Sequence, residues 1–195
     1  MRKSMLSVVT LALIGTAATW SQGAAWERTY AMTGSRSCVQ TVEGGLGSAP
    51  DFVLSASAST RSAHFEGKLV LRSDGTGSLE TRVLQIYNQR TAIGTQPMNV
   101  MTSTCAVRFG SNPDGSRWLD ALDCWGPIEA GAGAGLEGGT ITPERLSLIP
   151  SLDGSILLLS SVEPQIITTY STNSAGGQDR FDRICGRTGT AILQR

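Results

Sequence analysis

Lysine, histidine and clustered basic charge are scarce in this chain, and each shortage closes off a class of function. Lys68 is the one lysine beyond residue 3, so the Lys/Arg clusters that hold nucleic acid or anionic lipid are missing and no nucleic-acid partner is expected. Acidic and basic residues balance at 16 each over the whole chain. Histidine occurs once, at His64, so any catalytic triad or His-based proton shuttle must use it. No Gly-x-Ser-x-Gly stretch occurs, which excludes a nucleophile elbow. No two cysteines stand at Cys-x-x-Cys spacing, which argues against zinc and against thioredoxin-like redox chemistry. Neither a metal, a cofactor nor a catalytic residue is therefore expected, and no segment sustains helical periodicity.

What is present begins with an export signal. Arg2 and Lys3 precede an apolar run from Met5 to Ala18 that is short for a bilayer span, and small residues gather at Gly23, Ala24 and Ala25. The expected division is a signal peptide over 1–25 and a single β-barrel domain over 26–195, secreted or periplasmic. Arg2 and Lys3 lie in the signal, so the remainder carries a formal charge of −2. No cysteine follows the apolar run closely, so a lipid anchor is not expected.

Four cysteines, Cys38, Cys105, Cys124 and Cys185, lie beyond the signal, and an even count in an exported chain favours two disulfides. Three pairings exist. Cys38 with Cys185 would tie the first strand to the last, and Cys105 with Cys124 would close one hairpin.

Strand signals dominate. From His64 to Tyr87, Phe65, Leu69 and Leu71 alternate with Glu66, Lys68 and Arg72, a period of two with one wet face. A turn at Ser73-Asp74-Gly75 sets Leu69 opposite Leu79, Phe65 opposite Val83, Lys68 opposite Glu80 and Glu66 opposite Arg82. A shift of one residue would oppose Leu69 to Glu80, so the pattern selects its own register. His64 falls on the wet face, as an ordinary exposed strand histidine.

A second hairpin around Pro113-Asp114-Gly115 pairs Phe109 with Leu119 and Arg108 with Asp120. In that register Cys105 lies opposite Asp123, so a Cys105–Cys124 bond requires a bulge. A two-residue Asp114-Gly115 turn would oppose the cysteines directly, but Pro113 could not donate the flanking hydrogen bond. A third hairpin folds Arg145–Ile149 against Ser155–Val162 around Leu152-Asp153-Gly154. The run Ile156–Leu159 is apolar on both faces, so one face is expected to be covered by something other than water. Trp26–Thr33, Phe52–Ser57, Gln165–Tyr170 and Arg180–Leu193 complete the strands, the last two joined by a turn over Asn173–Gly177. Ala130–Gly139, rich in Gly and Ala, reads as one long irregular connection.

The sum is an all-β chain, an antiparallel up-and-down β-barrel of about eight to ten strands, with a β-sandwich as the alternative. A closed barrel removes the exposed edges that invite aggregation. Charges on the alternate face of the first hairpin and an aromatic content of 6% argue against stable membrane insertion. Residues Gly133 to Gly138 match Gly-x-Gly-x-x-Gly, but neither the strand-to-helix turn nor the parallel crossover that gives this motif its use is predicted.

Asp179, Arg180, Asp182 and Arg183 form a dense charge run. Alternation places Phe181, Arg183, Cys185 and Arg187 on one side of the last strand. If that side faces the interior, Arg183 and Arg187 line a cavity and can hold a carboxylate or phosphate; if it faces water, they pair with acids on neighbouring strands. Trp26, Trp118, Trp125, Tyr30, Tyr87 and Tyr170 serve mostly as core filling.

Two regions, Tyr30 to Cys38 with its Gly34-Ser35-Arg36-Ser37-Cys38 ending, and Glu163-Pro164 with Arg183-Ile184-Cys185-Gly186-Arg187, together resemble a group of small exported bacterial β proteins. That group opens with a Gly-Ser-Cys-type strand and closes with an Arg-Ile-Cys-x-Arg strand, often with histidine at the position of Gly186. The resemblance implies an exported β domain and adds no reaction. In shape alone the domain is similar to lipocalin-type barrels, whose first strand carries Gly-x-Trp; here Gly23-Ala24-Ala25-Trp26 has one residue more. The expected role is non-enzymatic binding of a small apolar or anionic ligand through Arg183 and Arg187. The alternatives are an envelope or surface interaction domain using Ile156–Leu159, and a cofactor-free isomerase or cyclase.

Overall fold

Ten strands and no helix make up the described residues of the computed structural model, namely 25–42, 46, 58–87, 98–131, 133–161, 163 and 165–195. The strands are β1 (Glu27–Val42), β2 (Ser59–Arg72), β3 (Thr76–Tyr87), β4 (Met98–Ser111), β5 (Arg117–Gly131), β6 (Glu137–Thr140), β7 (Glu144–Pro150), β8 (Ile156–Ser160), β9 (Ile166–Thr172) and β10 (Gln178–Leu193).

All pairings are antiparallel, and they close into a ring. β1 to β5 pair consecutively, β5 continues onto both β6 and β7, and β10 continues onto both β8 and β9. β6 pairs with β9, β7 with β8, and β1 with β10. Because β6 and β7 share one edge of β5, and β8 and β9 share one edge of β10, the ring has eight staves, two of them broken. Each strand has a neighbour on both edges, which leaves no open edge to template aggregation. Pro143, which has no N–H for a ladder, stands at the first break; Ile141 N–H still reaches Thr168 O at 2.7 Å.

The registers follow the side chains. Phe65 faces Val83, Leu69 faces Leu79, Lys68 faces Glu80 and Glu66 faces Arg82. Phe109 faces Leu119 and Arg108 faces Asp120. The third hairpin sets Ile149 opposite Leu158, and the β9–β10 pairing follows the turn over Asn173–Gly177. Gly75, Gly115 and Gly154 take φ of 82°, 84° and 68°, the left-handed conformation that each Asp-Gly turn requires.

Inside the ring, the half nearest these Asp-Gly turns is solid. Leu69, Leu71, Leu119, Leu146 and Leu157 are buried there, and Tyr30 donates its hydroxyl to Gly154 O at 3.1 Å. The Phe65 ring lies over Gly34, where an added Cβ would come within 2.4 Å of its Cζ, so the seam between β1 and β10 tolerates no side chain at that point. The opposite half of the ring is hollow.

Four sequence expectations change. The first strand runs beyond Thr33 to Val42. The Gly/Ala-rich stretch is not a long irregular connection: β5 continues to Gly131, β6 begins at Glu137, and Ile128 N–H to Leu136 O at 2.8 Å closes a compact hairpin between them. The outward half of the Ile156–Leu159 run, Ile156 and Leu158, stays substantially exposed rather than covered, while Leu157 and Leu159 fill the core. Trp125 is 55% exposed, so it fills no core. The segment Phe52–Ser57 lies outside the described residues, as does Val162 at the end of the third hairpin.

Candidate functional site: an arginine-lined cavity

The period of two that makes β10 a strand sends Arg183, Cys185 and Arg187 to the interior. On β1 it sends Arg36, Cys38 and Gln40 inward, and on β2 Arg61, Ala63 and Phe65. The registers lock these three strands side by side. Gln40 faces Arg183, Cys38 faces both Cys185 and Arg61, and Arg36 faces both Arg187 and Ala63. Four arginines from three adjacent strands thus surround the Cys38–Cys185 disulfide.

They form one wall of an internal cavity of about 330 Å³. The facing wall, from β3, β4, β5 and the turn after it, presents Val83, Met101, Ile128, Leu136 and the Cys105–Cys124 disulfide, with Gln85, Asn99 and Ser103 as its polar groups. That disulfide depends on a bulge. Asp123 takes φ of 48° and adds a residue to β5 beside Cys105, turning Cys124 onto the same face as its partner. With both bonds formed no cysteine is free, a state that belongs to an oxidising compartment.

Charge in the cavity is unbalanced. Glu144, at the start of β7, is the one acid among the described lining residues, and it pairs with Arg187, Nη1 to Oε2 at 3.1 Å. Arg187 also lies over the Phe65 ring, 4.9 Å from its centroid. Among the described residues, that leaves Arg36, Arg61 and Arg183 without a carboxylate in salt-bridge contact. Arg61 stacks 4.0 Å from the centroid of Tyr87 and donates from Nη1 to Gln85 Oε1 at 3.5 Å, while Arg183 Nε donates to Gln40 Oε1. The Nε atoms of Arg36, Arg61 and Arg187 and Oε1 of Glu144 are buried with no hydrogen-bond partner among the described residues.

Arg36 and Arg183 keep some surface open to the cavity, yet they lie deep in the protein. Burial pulls the Arg36 guanidinium down to about 10, with repulsion from Arg187 adding to it and Glu144 opposing. Burial likewise lowers Arg61 to about 10. Arg183 falls well below its ordinary value through burial first and then repulsion from Arg61 and Arg36. Arg36 and Arg61 remain protonated at neutral pH, so the cluster holds buried positive charge that Glu144 offsets only in part among the described residues.

Arg183 and Arg187 therefore both face the cavity, Arg187 committed to Glu144 and Arg183 held by Gln40. Arg36, Arg61 and Glu144 join them without having been singled out in the sequence. His64 is exposed on the outer face, away from this cluster. The Gly133–Gly138 match falls in the β5–β6 hairpin, where no helix follows. Of the aromatics, Tyr87 and Tyr170 line the cavity and Tyr30 is core. Trp26 packs against Phe109 with ring centroids 6.3 Å apart, and Trp118 lies under Arg145, 4.8 Å from its Cζ. No group of three His, Cys, Asp or Glu suited to a metal occurs among the described residues. Comparison with protein-family models, curated proteins and solved structures finds nothing that matches this chain.

Proposed function

We propose that this protein is an exported, non-enzymatic β-barrel that holds a small, partly apolar anion inside its ring. The observation that carries the reading is the two-sided cavity: three arginines without a carboxylate among the described residues on one wall, and Val83, Met101, Ile128 and Leu136 on the other. Burying unpaired charge is costly, and three such groups held together with no counterion among the described residues gain most when a ligand supplies one. A volume of about 330 Å³ lies within the range of about 300–1,000 Å³ common for small-ligand pockets. Export is supported by the signal-like sequence over 1–25, with Arg2 and Lys3 before an apolar run, and by the two disulfides. The resemblance of Arg183-Ile184-Cys185-Gly186-Arg187 to the closing strand of a group of exported proteins fits the same reading. Native mass spectrometry of protein purified from its own host should show a co-purifying anion that is lost in Arg183→Gln; a clean apo mass together with no anion binding by calorimetry would reject the proposal.

A second reading, an envelope or surface interaction domain, is favoured by the outer face. Ile149, Leu158, Ile156 and Ile192 adjoin one another across β7, β8 and β10, and all are more than 40% exposed. Light scattering across a concentration series and cross-linking in the host envelope test it; a monomer with no cross-linked partner would remove it.

A further inference from the structure

We propose that the head group bound in the cavity is a dianionic oxyanion of the phosphate-monoester type, gripped by Arg36, Arg61 and Arg183, with its ester substituent against the apolar wall. This rests on the reading of the cavity as a ligand site and names the chemistry of its occupant.

The count of charges and donors selects the class. Arg187 is taken by Glu144, which leaves three guanidinium groups to be answered. A carboxylate brings one charge and two oxygens, so two cations would stay unpaired in a buried place. A phosphate monoester brings about −1.5 to −2 charges at neutral pH and three strong acceptor oxygens. Three arginines against three oxygens leaves the least charge unanswered.

Placement fits the same class. Arg61 lies directly opposite Cys38 on the neighbouring strand, while Arg36 and Arg183 stand two residues before Cys38 and Cys185 on the strands that this disulfide joins. Arg61 is diagonal to Arg36 across the β1–β2 pair, within about 8 Å, while Arg183 approaches from the other end of the disulfide, and the three long side chains all line the one cavity. Two of them are steered from behind, Arg61 by Gln85 and Tyr87, Arg183 by Gln40. The buried, unpartnered Nε atoms of Arg36 and Arg61 are the donors with which a guanidinium makes its paired bonds to phosphate oxygens. Across the cavity Val83, Met101, Ile128 and Leu136 give an apolar surface alongside the polar Gln85, Asn99 and Ser103, and a bare phosphate would leave that apolar surface without contact.

Isothermal titration calorimetry of the disulfide-bonded protein at fixed salt tests this with three probes: octyl phosphate, octanoate and inorganic phosphate. Octyl phosphate should bind at least ten-fold more tightly than either of the others. Arg61→Gln and, independently, Arg183→Gln should narrow the gap between octyl phosphate and octanoate, while Lys68→Gln on the outer wall should leave it unchanged. Octanoate binding as tightly as octyl phosphate would overturn the dianion and leave the anion cavity standing. Equal affinity for inorganic phosphate would overturn the ester and assign the cavity to free phosphate. No binding of any probe would overturn this proposal and the cavity reading together.

Discussion

Arg187 and Glu144 form an ion pair inside the ring, 3.1 Å between Nη1 and Oε2, with 8% and 6% of their side chains exposed. Arg36 stands opposite Arg187 in the β1–β10 register, so the glutamate is what separates a tolerable pair from two facing cations. Glu144→Gln is expected to cost about 3–5 kcal/mol, the usual penalty for stranding one member of a buried pair. The double variant Glu144→Met with Arg187→Met should recover most of that loss, because apolar replacement of a whole buried pair is often neutral. Urea unfolding of the three proteins measures both, and a loss in Glu144→Gln under about 1 kcal/mol, the size of an exposed pair, would show that the pair contributes little.

Arg36 should behave in the opposite way. It has no hydrogen-bonded partner among the described residues and is weakened as a base by burial and by Arg187. A base whose proton affinity is lower in the folded state burdens stability at every pH below its folded value, here about 10, and the burden lifts as pH rises from there towards the ordinary arginine range. Arg36→Met is therefore expected to be more stable by about 1 kcal/mol or more, near 2–4 °C in Tm for a chain of this size. The advantage should be level between about pH 5 and about pH 9, below both values. The same variant should bind octyl phosphate less tightly. A gain in stability with a loss in binding is the signature of a residue kept for its ligand. A less stable Arg36→Met would identify the side chain as packing.

Much of this arrangement is legible in the sequence, because a period of two fixes which side chains share a face. The first hairpin is determined by its own charges: only one register opposes Lys68 to Glu80 and Glu66 to Arg82 while joining Leu69 to Leu79. The same logic extends to Arg36 and Arg61, which escape notice for a local reason. Arg36 lies two residues before Cys38 and Arg61 four before Phe65, so each shares a face with a residue readable as inward, but a charged side chain in a strand is ordinarily assigned to water. The local charge run of Asp182 and Arg183 points equally well to exposed ion pairs. What pattern cannot supply is backbone irregularity. The Cys105–Cys124 pairing already calls for a bulge in its hairpin, but the breaks between β6 and β7 and between β8 and β9 and the closure of the Gly/Ala-rich hairpin depend on contacts that side-chain alternation does not encode.

The two disulfides should differ in their effect. Cys38–Cys185 closes a separation of 147 residues and Cys105–Cys124 one of 19. In the chain-entropy account the longer loop constrains the unfolded chain more, about 4–5 kcal/mol against about 3. Cys38→Ala with Cys185→Ala should therefore lower stability more than Cys105→Ala with Cys124→Ala, and should also weaken anion binding, since it releases the strands that carry Arg36 and Arg183. Denaturant midpoints and titration of octyl phosphate check the two halves. An inverted order of stability would show that strain or residual structure in the unfolded chain outweighs loop length.

The three Asp-Gly turns give this protein its clearest acid dependence. Asp74 Oδ1 accepts the Thr76 N–H at 2.9 Å and its hydroxyl at 2.7 Å. Asp114 does the same with Ser116, at 2.9 and 2.6 Å. Asp153 accepts from the Ser151 hydroxyl at 2.6 Å and from Ser155 through both N–H and hydroxyl. Hydrogen bonds to the charged form hold all three carboxyls below their ordinary value of 3.8, led by the Thr76, Ser116 and Ser151 hydroxyls respectively. An acid whose folded value is depressed contributes stability that is complete above the unfolded value and lost as pH falls through the folded one. Thermal midpoints of the native protein should therefore drop between about pH 4 and about pH 2, as these groups take up protons. An Asn at position 153 keeps a side-chain carbonyl to accept the same hydrogen bonds but cannot titrate. Asp153→Asn should thus start lower at neutral pH and fall less steeply in acid, so that the two curves converge. Curves that stay parallel from about pH 6 to about pH 2 would place the acid sensitivity elsewhere in the ring.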